Sequence, residues 1–105
     1  MTDTSKEIRT EVTSDGKLKL SIAPVLMPVP GENEVLLRVD ASPINPSDLG
    51  LLIGPADVST MAVTGSGEDA VVTMDIPEAM MKALAARVDE SLPVGNEGAG
   101  EVVAT

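Results

Sequence analysis

The residues of this chain best suited to chemistry lie in two short segments, Asn45-Pro46-Ser47-Asp48 and Gly95-Asn96-Glu97, which carry amides and carboxylates. The chain contains no Cys, His or Tyr. These absences exclude a disulfide, a thiolate nucleophile, an imidazole base, a phenolic proton donor and a Cys/His zinc site. Any acid or base among these residues is therefore a carboxyl group or one of the few lysines.

The formal net charge of the 105-residue chain is −10, and the negative charge is concentrated in its second part. Residues 1–38 carry five basic and six acidic side chains, whereas residues 39–105 carry two basic and eleven acidic ones. Nucleic-acid binding needs clustered Lys and Arg, with aromatic platforms for single strands, and this chain has no aromatic residue. We therefore expect no nucleic-acid partner and no attraction to an anionic membrane surface.

The N-terminal segment, with Lys6, Glu7 and Arg9, lacks the apolar run of a secretory signal. The apolar stretch over residues 21–31 is too short, and too interrupted by proline, to span a bilayer. These features predict a cytoplasmic protein without a membrane partner.

The segments that must position the candidate residues begin with a β-hairpin, predicted by alternating apolar residues in Glu7–Thr13 and Lys17–Ile22 around a Ser-Asp-Gly turn. Residues 24–30 contain three prolines and predict an extended segment outside the sheet. A strong strand is predicted over Glu34–Ser42. Asn45 then caps a short helix that has Pro46 at its first position and Asp48 near the positive end of its dipole.

The second part of the chain is predicted to be mostly loop over residues 56–69, with a short strand over Ala70–Met74. An amphipathic helix is predicted around residues 75–91, because Asp75 and Glu78 match a capping box and apolar side chains recur every four residues. The glycines at 95–100 predict a close approach to another strand, and residues 101–104 predict the start of a last strand.

Two blocks of this sequence, GENEVLLRVDASPINPSDLG at Gly31–Gly50 and LPVGNEGAGEVVAT at Leu92–Thr105, together resemble the start of a medium-chain dehydrogenase/reductase. Within that superfamily they are similar to the zinc-independent, quinone-oxidoreductase-like branch. The resemblance implies a mainly β fold with short helices, a GroES-like, partly open β-barrel, in which the helix around 75–91 is an insertion. It also implies that residues 1–105 are the N-terminal portion of this domain, truncated, and do not include the Rossmann domain.

The two chemical segments correspond to zinc-ligand positions in the zinc-dependent relatives. Those relatives have a Cys where this chain has Asn45, and a Gly-His-Glu triplet where it has Gly95-Asn96-Glu97. A neutral amide is a poor substitute for a thiolate or an imidazole around zinc. The resemblance therefore implies a site without zinc and without any other metal.

The chemistry implied by the resemblance is hydride transfer from NADPH to a quinone or to an activated carbonyl or alkene, with the protein positioning the cofactor. NADPH, as opposed to NADH, is an inference from the family alone. Asn45 and Pro46 would contact the nicotinamide or the substrate oxygen, although Asn45 is equally compatible with a plain helix cap. Asp48, Asn96 and Glu97 would line the substrate cleft or support it, Asp48 as a structural carboxylate and Glu97 either as a buried, paired carboxylate or in a direct role.

We expect the 105 residues alone to be inactive, because the main cofactor site of the family lies outside them. The alternative is a non-enzymatic small β-barrel that acts as a binding or assembly module. Such a module would form a homo-oligomer through exposed strand edges or through the 75–91 helix. That helix is otherwise expected to pack on the chain's own barrel or to cover the substrate cleft.

The run Gly65-Ser66-Gly67-Glu68-Asp69-Ala70 matches the dinucleotide fingerprint Gly-x-Gly-x-x-Gly/Ala as a string. The predicted context does not fit, because no predicted strand precedes it and the two acidic side chains would repel a pyrophosphate. We assign this run no nucleotide-binding role.

Overall fold

The computed structural model describes residues 4–105, so residues 1–3, which the predicted domain includes, lie outside the described range. Seven strands and two short α-helices occupy this range: β1 Thr4–Val12, β2 Lys17–Leu26, β3 Leu36–Ala41, α1 Leu49–Leu52, β4 Asp57–Thr64, β5 Val71–Asp75, α2 Glu78–Met81, β6 Leu92–Pro93 and β7 Ala99–Ala104. Turns of 3-10 helix add Pro46–Asp48, Gly67–Asp69 and Lys82–Arg87. The predicted class, mainly β with short helices, is confirmed.

The strands of the described residues form two antiparallel sheets. One has five strands in the order β4-β5-β2-β1-β6, and the other is the pair β3-β7. Over residues 4–105 the sheets remain open and do not close into a barrel. The expectation of a partly open β fold is therefore confirmed.

The predicted first hairpin is present, and it is longer than expected. β1 pairs with β2 from Thr4–Leu26 to Val12–Leu18, with Gly16 in the turn at φ +85°. Pro24 lies in the ladder opposite Lys6, so the prediction that this proline leaves the sheet is wrong. Proline is tolerated there because β5 pairs only with residues 17–21 of β2, which leaves the last part of β2 as an edge.

The apolar core lies where the first hairpin meets β5 and the helical segment that follows. Its buried apolar side chains are Val12, Leu18, Met74 and Ile76. Partly buried side chains from the helical segment, Met81, Leu84 and Val88, pack against them. The helical segment therefore covers the chain's own sheet, as expected by default. A core of this size gives a small hydrophobic stabilisation for a domain of about 100 residues.

The predicted 75–91 helix is shorter than expected and only partly α-helical. α2 begins at Glu78 and the 3-10 turn ends at Arg87. Asp75 does not cap this helix, because it is the last residue of β5 and its carboxylate accepts a hydrogen bond from Lys17. Pro77 keeps an extended backbone, at φ −53° and ψ 136°, and delays the helix.

The prediction of a loop over residues 56–69 is wrong, because β4 occupies most of that range. β4 pairs with β5 at Ala62–Thr73, but its register shifts between Asp57 and Ala62. The extra residues break the period-two pattern by which a strand is recognised in sequence. The 65–70 run is thus the turn between two antiparallel strands and is followed by β5, not by a helix, so it does not form a dinucleotide site.

Candidate functional site

Pairing between β3 and β7 brings together the two sequence blocks Gly31–Gly50 and Leu92–Thr105. Leu37 faces Val102 and Val39 faces Gly100 across this pair. A Cβ atom added to Gly100 would lie 1.8 Å from the carbonyl oxygen of Arg38, so the strands can approach only because the residue is glycine. The predicted close approach of this glycine-containing segment to another strand is confirmed.

Asn45 stands at the start of a 3-10 turn that follows β3. Its backbone is extended, at φ −89° and ψ 156°, and Pro46 follows as the first residue of the turn. The Asn45 N–H donates to Oδ2 of Asp48 at 2.8 Å, and the Asp48 N–H donates to the Asn45 carbonyl at 2.9 Å. The predicted helix start is present, and the buried Asp48 carboxylate holds the backbone of Asn45 in place.

The turn that carries Asn45 is tied to the five-stranded sheet through α1. The hydroxyl of Thr10, which is fully buried in β1, donates to the carbonyl oxygen of Leu51 at 2.6 Å. Gly54, at φ +51°, ends the helix and donates its N–H to the Leu49 carbonyl. The position of Asn45 is therefore fixed from the sheet side as well as from β3.

The side chain of Asn45 reaches the Gly95-Asn96-Glu97 segment. Its Nδ2 lies 3.5 Å from Oε1 of Glu97, at the long end of hydrogen-bond distances. Ser42 adds a shorter contact, because its hydroxyl donates to the Glu97 carbonyl at 2.7 Å. Sequence reasoning did not single out Ser42, and no spacing rule marks a serine just after a strand as a partner of a residue 55 positions away.

Glu97 is exposed, and none of the ion pairs between described residues includes it. The expectation of a buried carboxylate with a basic partner therefore differs from the structure. The reason is local, since residues 95–98 are all exposed and Gly98 lies against Val39 and Ala41 of β3. The contact of the carboxylate is the amide of Asn45.

An open groove of about 490 Å³ separates this segment from the outer face of β1. Its lining combines the apolar Ile8, Leu37 and Val39 with Asn96 and the charged Lys6, Glu7 and Glu97. The groove adjoins a second depression of about 820 Å³ beside the end of the first hairpin, and Leu37 and Val39 line both. Apolar walls beside an amide and charged side chains suit a small ligand that combines an apolar part with a polar group.

Neither the models of known protein families nor the curated proteins contain a match to this chain. The candidate site is therefore defined by its geometry and by the residues described above. The described residues also contain no group of three His, Cys, Asp or Glu placed to hold a metal ion. Among residues 4–105, no helix has the length and apolar character needed to cross a membrane.

The chemical capacity of this arrangement is binding and orientation. An asparagine amide can donate through Nδ2 and accept through Oδ1, so it can hold a carboxamide or a carbonyl oxygen. Glu97 is an exposed carboxylate that contacts the amide of Asn45, and Glu7 lines the same groove. Hydrogen bonds at binding sites are often long before a ligand arrives, which fits the 3.5 Å contact.

Proposed function

We propose that this chain is the N-terminal part of a GroES-like domain of a zinc-independent, NAD(P)H-dependent oxidoreductase of the medium-chain dehydrogenase/reductase type. The reaction is hydride transfer to a quinone or to an activated carbonyl or alkene. The observation that carries the proposal is the contact between Asn45 and Glu97, 52 residues apart in sequence. It brings together the two segments that correspond to zinc ligands in the zinc-dependent relatives.

The residues at those two positions argue for a site that works without a metal. Asn45 and Asn96 are neutral amides, and zinc prefers thiolate and imidazole ligands. An amide instead holds a substrate oxygen or a nicotinamide carboxamide by hydrogen bonds. Asp48 keeps the asparagine oriented, and Ser42 keeps the Glu97 segment beside it.

The described residues fit only one end of a dinucleotide. When bound, NADPH supplies the hydride, and the reduced substrate takes its proton from solvent. The pyrophosphate of such a cofactor is held between parallel strands and a helix N-terminus, whereas the strand pairs over residues 4–105 are antiparallel. Residues 4–105 thus offer a place for the nicotinamide or the substrate, and a nucleotide-binding domain has to supply the rest.

The apolar part of the groove suits a ring-shaped substrate. Ile8, Leu37 and Val39 line it together with Asn96 and the charged Lys6, Glu7 and Glu97. An apolar ring with a carbonyl directed at the amides matches this lining. The negative charge of the protein argues against an anionic substrate. The proposed location of the activity is the cytoplasm.

The test is chemical-shift mapping by NMR on the isotope-labelled chain. We titrate it with reduced nicotinamide mononucleotide and, separately, with a water-soluble naphthoquinone. The expected result is a set of shifts confined to Ser42, Asn45, Asn96 and Glu97 and the adjoining groove. Adenosine monophosphate is the control, because it carries only the half of the cofactor that these residues do not bind.

The variant Asn45→Ala should lose the response to both probes while keeping the rest of its spectrum. Shifts spread evenly over the surface, or equal shifts with adenosine monophosphate, would contradict the proposed site. Steady oxidation of NADPH by the chain alone, with a quinone present, would contradict the need for a nucleotide-binding domain.

A further inference from the structure

The sheet formed by β3 and β7 lacks the support that a two-stranded sheet needs. Two strands alone are at best marginally stable in water, and a third strand or a packed face is required. Within residues 4–105 these strands pair only with each other. Their apolar side chains stay open to solvent, with Leu37 40%, Val39 57% and Val102 50% exposed. An exposed apolar surface of this kind marks an interaction site.

The charges on the open strand edges indicate which edge can pair with a copy of itself. In a two-fold antiparallel pair of identical strands, a residue before the centre faces the residue equally far after it. Two copies of such an edge attract each other when opposite charges flank the centre of the strand. β3 meets this condition, because Arg38 and Asp40 lie on either side of Val39.

The open part of β1 beyond its two-residue contact with β6 also carries adjacent opposite charges, Lys6 and Glu7, but β1 already belongs to a five-stranded sheet and does not need a further strand. The remaining open edges of the described sheets do not meet the condition. β7 carries one charge, Glu101, and β4 carries one, Asp57, so neither can form a symmetric pair of opposite charges. β6 has two residues and offers too short a ladder.

We propose that β3 pairs antiparallel with β3 of a second copy of this chain, centred on Val39, to give a four-stranded sheet in the order β7-β3-β3-β7. Arg38 then faces Asp40 of the partner subunit, and the same pair recurs on the other side of the two-fold axis. Leu37 faces Ala41 of the partner subunit. The apolar residues of both copies form one continuous face, which gives each β3–β7 pair the added strands that it lacks alone.

The groups that form the proposed pairs are available in the structure. Arg38 contacts Asp40 at 3.4 Å and Glu101 at 3.0 Å within its own chain, and the side chains of Arg38 and Asp40 are 60% and 58% exposed. Exposed ion pairs are weak, so Arg38 can exchange one of them for the partner's carboxylate. The register of the β3–β7 pair shifts between Val39 and Ala41, so Asp40 has no partner in β7 and is left to pair with the second copy.

Sedimentation of charge-reversed chains tests the proposal. We expect wild type to associate to a dimer as concentration rises, and we expect Arg38→Asp and Asp40→Arg each to weaken self-association about ten-fold or more, since like charges then face each other twice. An equimolar mixture of the two variants should recover the dimer, because an acidic strand then faces a basic one. Lys82→Asp and Glu90→Arg change the net charge by the same amounts at exposed positions elsewhere and should leave association unchanged.

A second measurement uses the absence of cysteine in the chain. Val39→Cys places one thiol at the two-fold centre, at a strand separation that a disulfide can bridge, and should form a cross-linked dimer under mild oxidation. Val63→Cys, in β4 and 59% exposed in the parent chain, is the matched control and should cross-link far more slowly. A wild-type chain that stays monomeric at millimolar concentration overturns the proposal. So do equal cross-linking of the two cysteine variants and a mixture of reversed chains that fails to associate.

Discussion

The amide Nδ2 of Asn45 lies 3.5 Å from Oε1 of Glu97, although 52 residues separate them. Hydrogen bonds fix the two segments that carry these side chains. Asp48 fixes the backbone of Asn45 through a 2.8 Å hydrogen bond, and Ser42 holds the Glu97 carbonyl at 2.7 Å. The relationship is therefore set by the turn after β3 and by the pairing of β3 with β7.

The carboxylate of Asp48 is expected to stabilise this turn measurably. Asp48→Ala should lower the free energy of unfolding by about 1–2 kcal/mol, because it leaves the Asn45 N–H without its acceptor in a partly buried position. Urea denaturation measures the change. Ser47→Ala, on the exposed side of the same turn, should alter the stability by less than about 0.5 kcal/mol. Equal effects of the two substitutions would show that the carboxylate does not hold the turn.

The small apolar core predicts an unusual sensitivity to truncation. Leu18 is fully buried, and Leu18→Ala should destabilise the chain by about 2–5 kcal/mol, which is a large share of the stability of a small domain. Leu26→Ala removes the same atoms from a side chain that is 70% exposed and should have little effect. Circular dichroism during urea unfolding distinguishes the two. A tolerated Leu18→Ala would place the main core elsewhere.

The hydrogen bond from Lys17 to Asp75, and then their charge attraction, raise the pKa of Lys17 above its ordinary value of 10.5. Because the folded-state pKa is the higher one, the stabilisation is fully present below pH 10.5 and is lost as the pH rises through the folded-state pKa. We expect the urea midpoint of wild type to fall more steeply above pH 10.5 than that of Lys17→Met. The chain has no Tyr or Cys, so the lysines alone titrate in this window.

Lys19→Met is the matched control for this pH dependence. Lys19 lies two residues further along β2, and its side chain has no ion pair among the described residues. It should keep the alkaline fall of wild type. If Lys17→Met and wild type lose stability in parallel, the Lys17–Asp75 pair contributes nothing to the folded state.

Local patterns in the sequence predict those elements whose cause is local. The first hairpin follows from alternation around Gly16, and the turn after β3 follows from Asn45, Pro46 and Asp48. Both elements are present in the structure, and the hairpin extends beyond its predicted bounds to Thr4 and Leu26. The glycines at 95–100 likewise predict a close approach to another strand. The structure shows this approach at Gly100, where only a residue without a Cβ atom fits beside β3.

The elements that sequence missed depend on distant partners. The sequence predicts a loop where β4 lies, because the extra residues of β4 break the alternation and its pairing with β5 is a tertiary contact. Asp75 has the sequence signature of a helix cap, but in the structure it pairs with Lys17 of β2 and accepts a hydrogen bond from that side chain. Ser42 and the exposed position of Glu97 also follow from tertiary contacts. The sequence therefore predicts the amide residues of the candidate site but not the contacts that support them.

The most direct test of the central proposal, that Asn45 and Asn96 occupy positions equivalent to zinc ligands of zinc-dependent dehydrogenases, is cobalt(II) binding by the double variant Asn45→Cys/Asn96→His. A thiolate and an imidazole at these positions, with Glu97 beside them, supply the ligand types of a catalytic zinc site. The account predicts a tetrahedral cobalt–thiolate absorption spectrum and an affinity at least about ten-fold higher than that of either single variant. A double variant that binds cobalt no more tightly than Asn45→Cys alone, or without thiolate absorption, would contradict it.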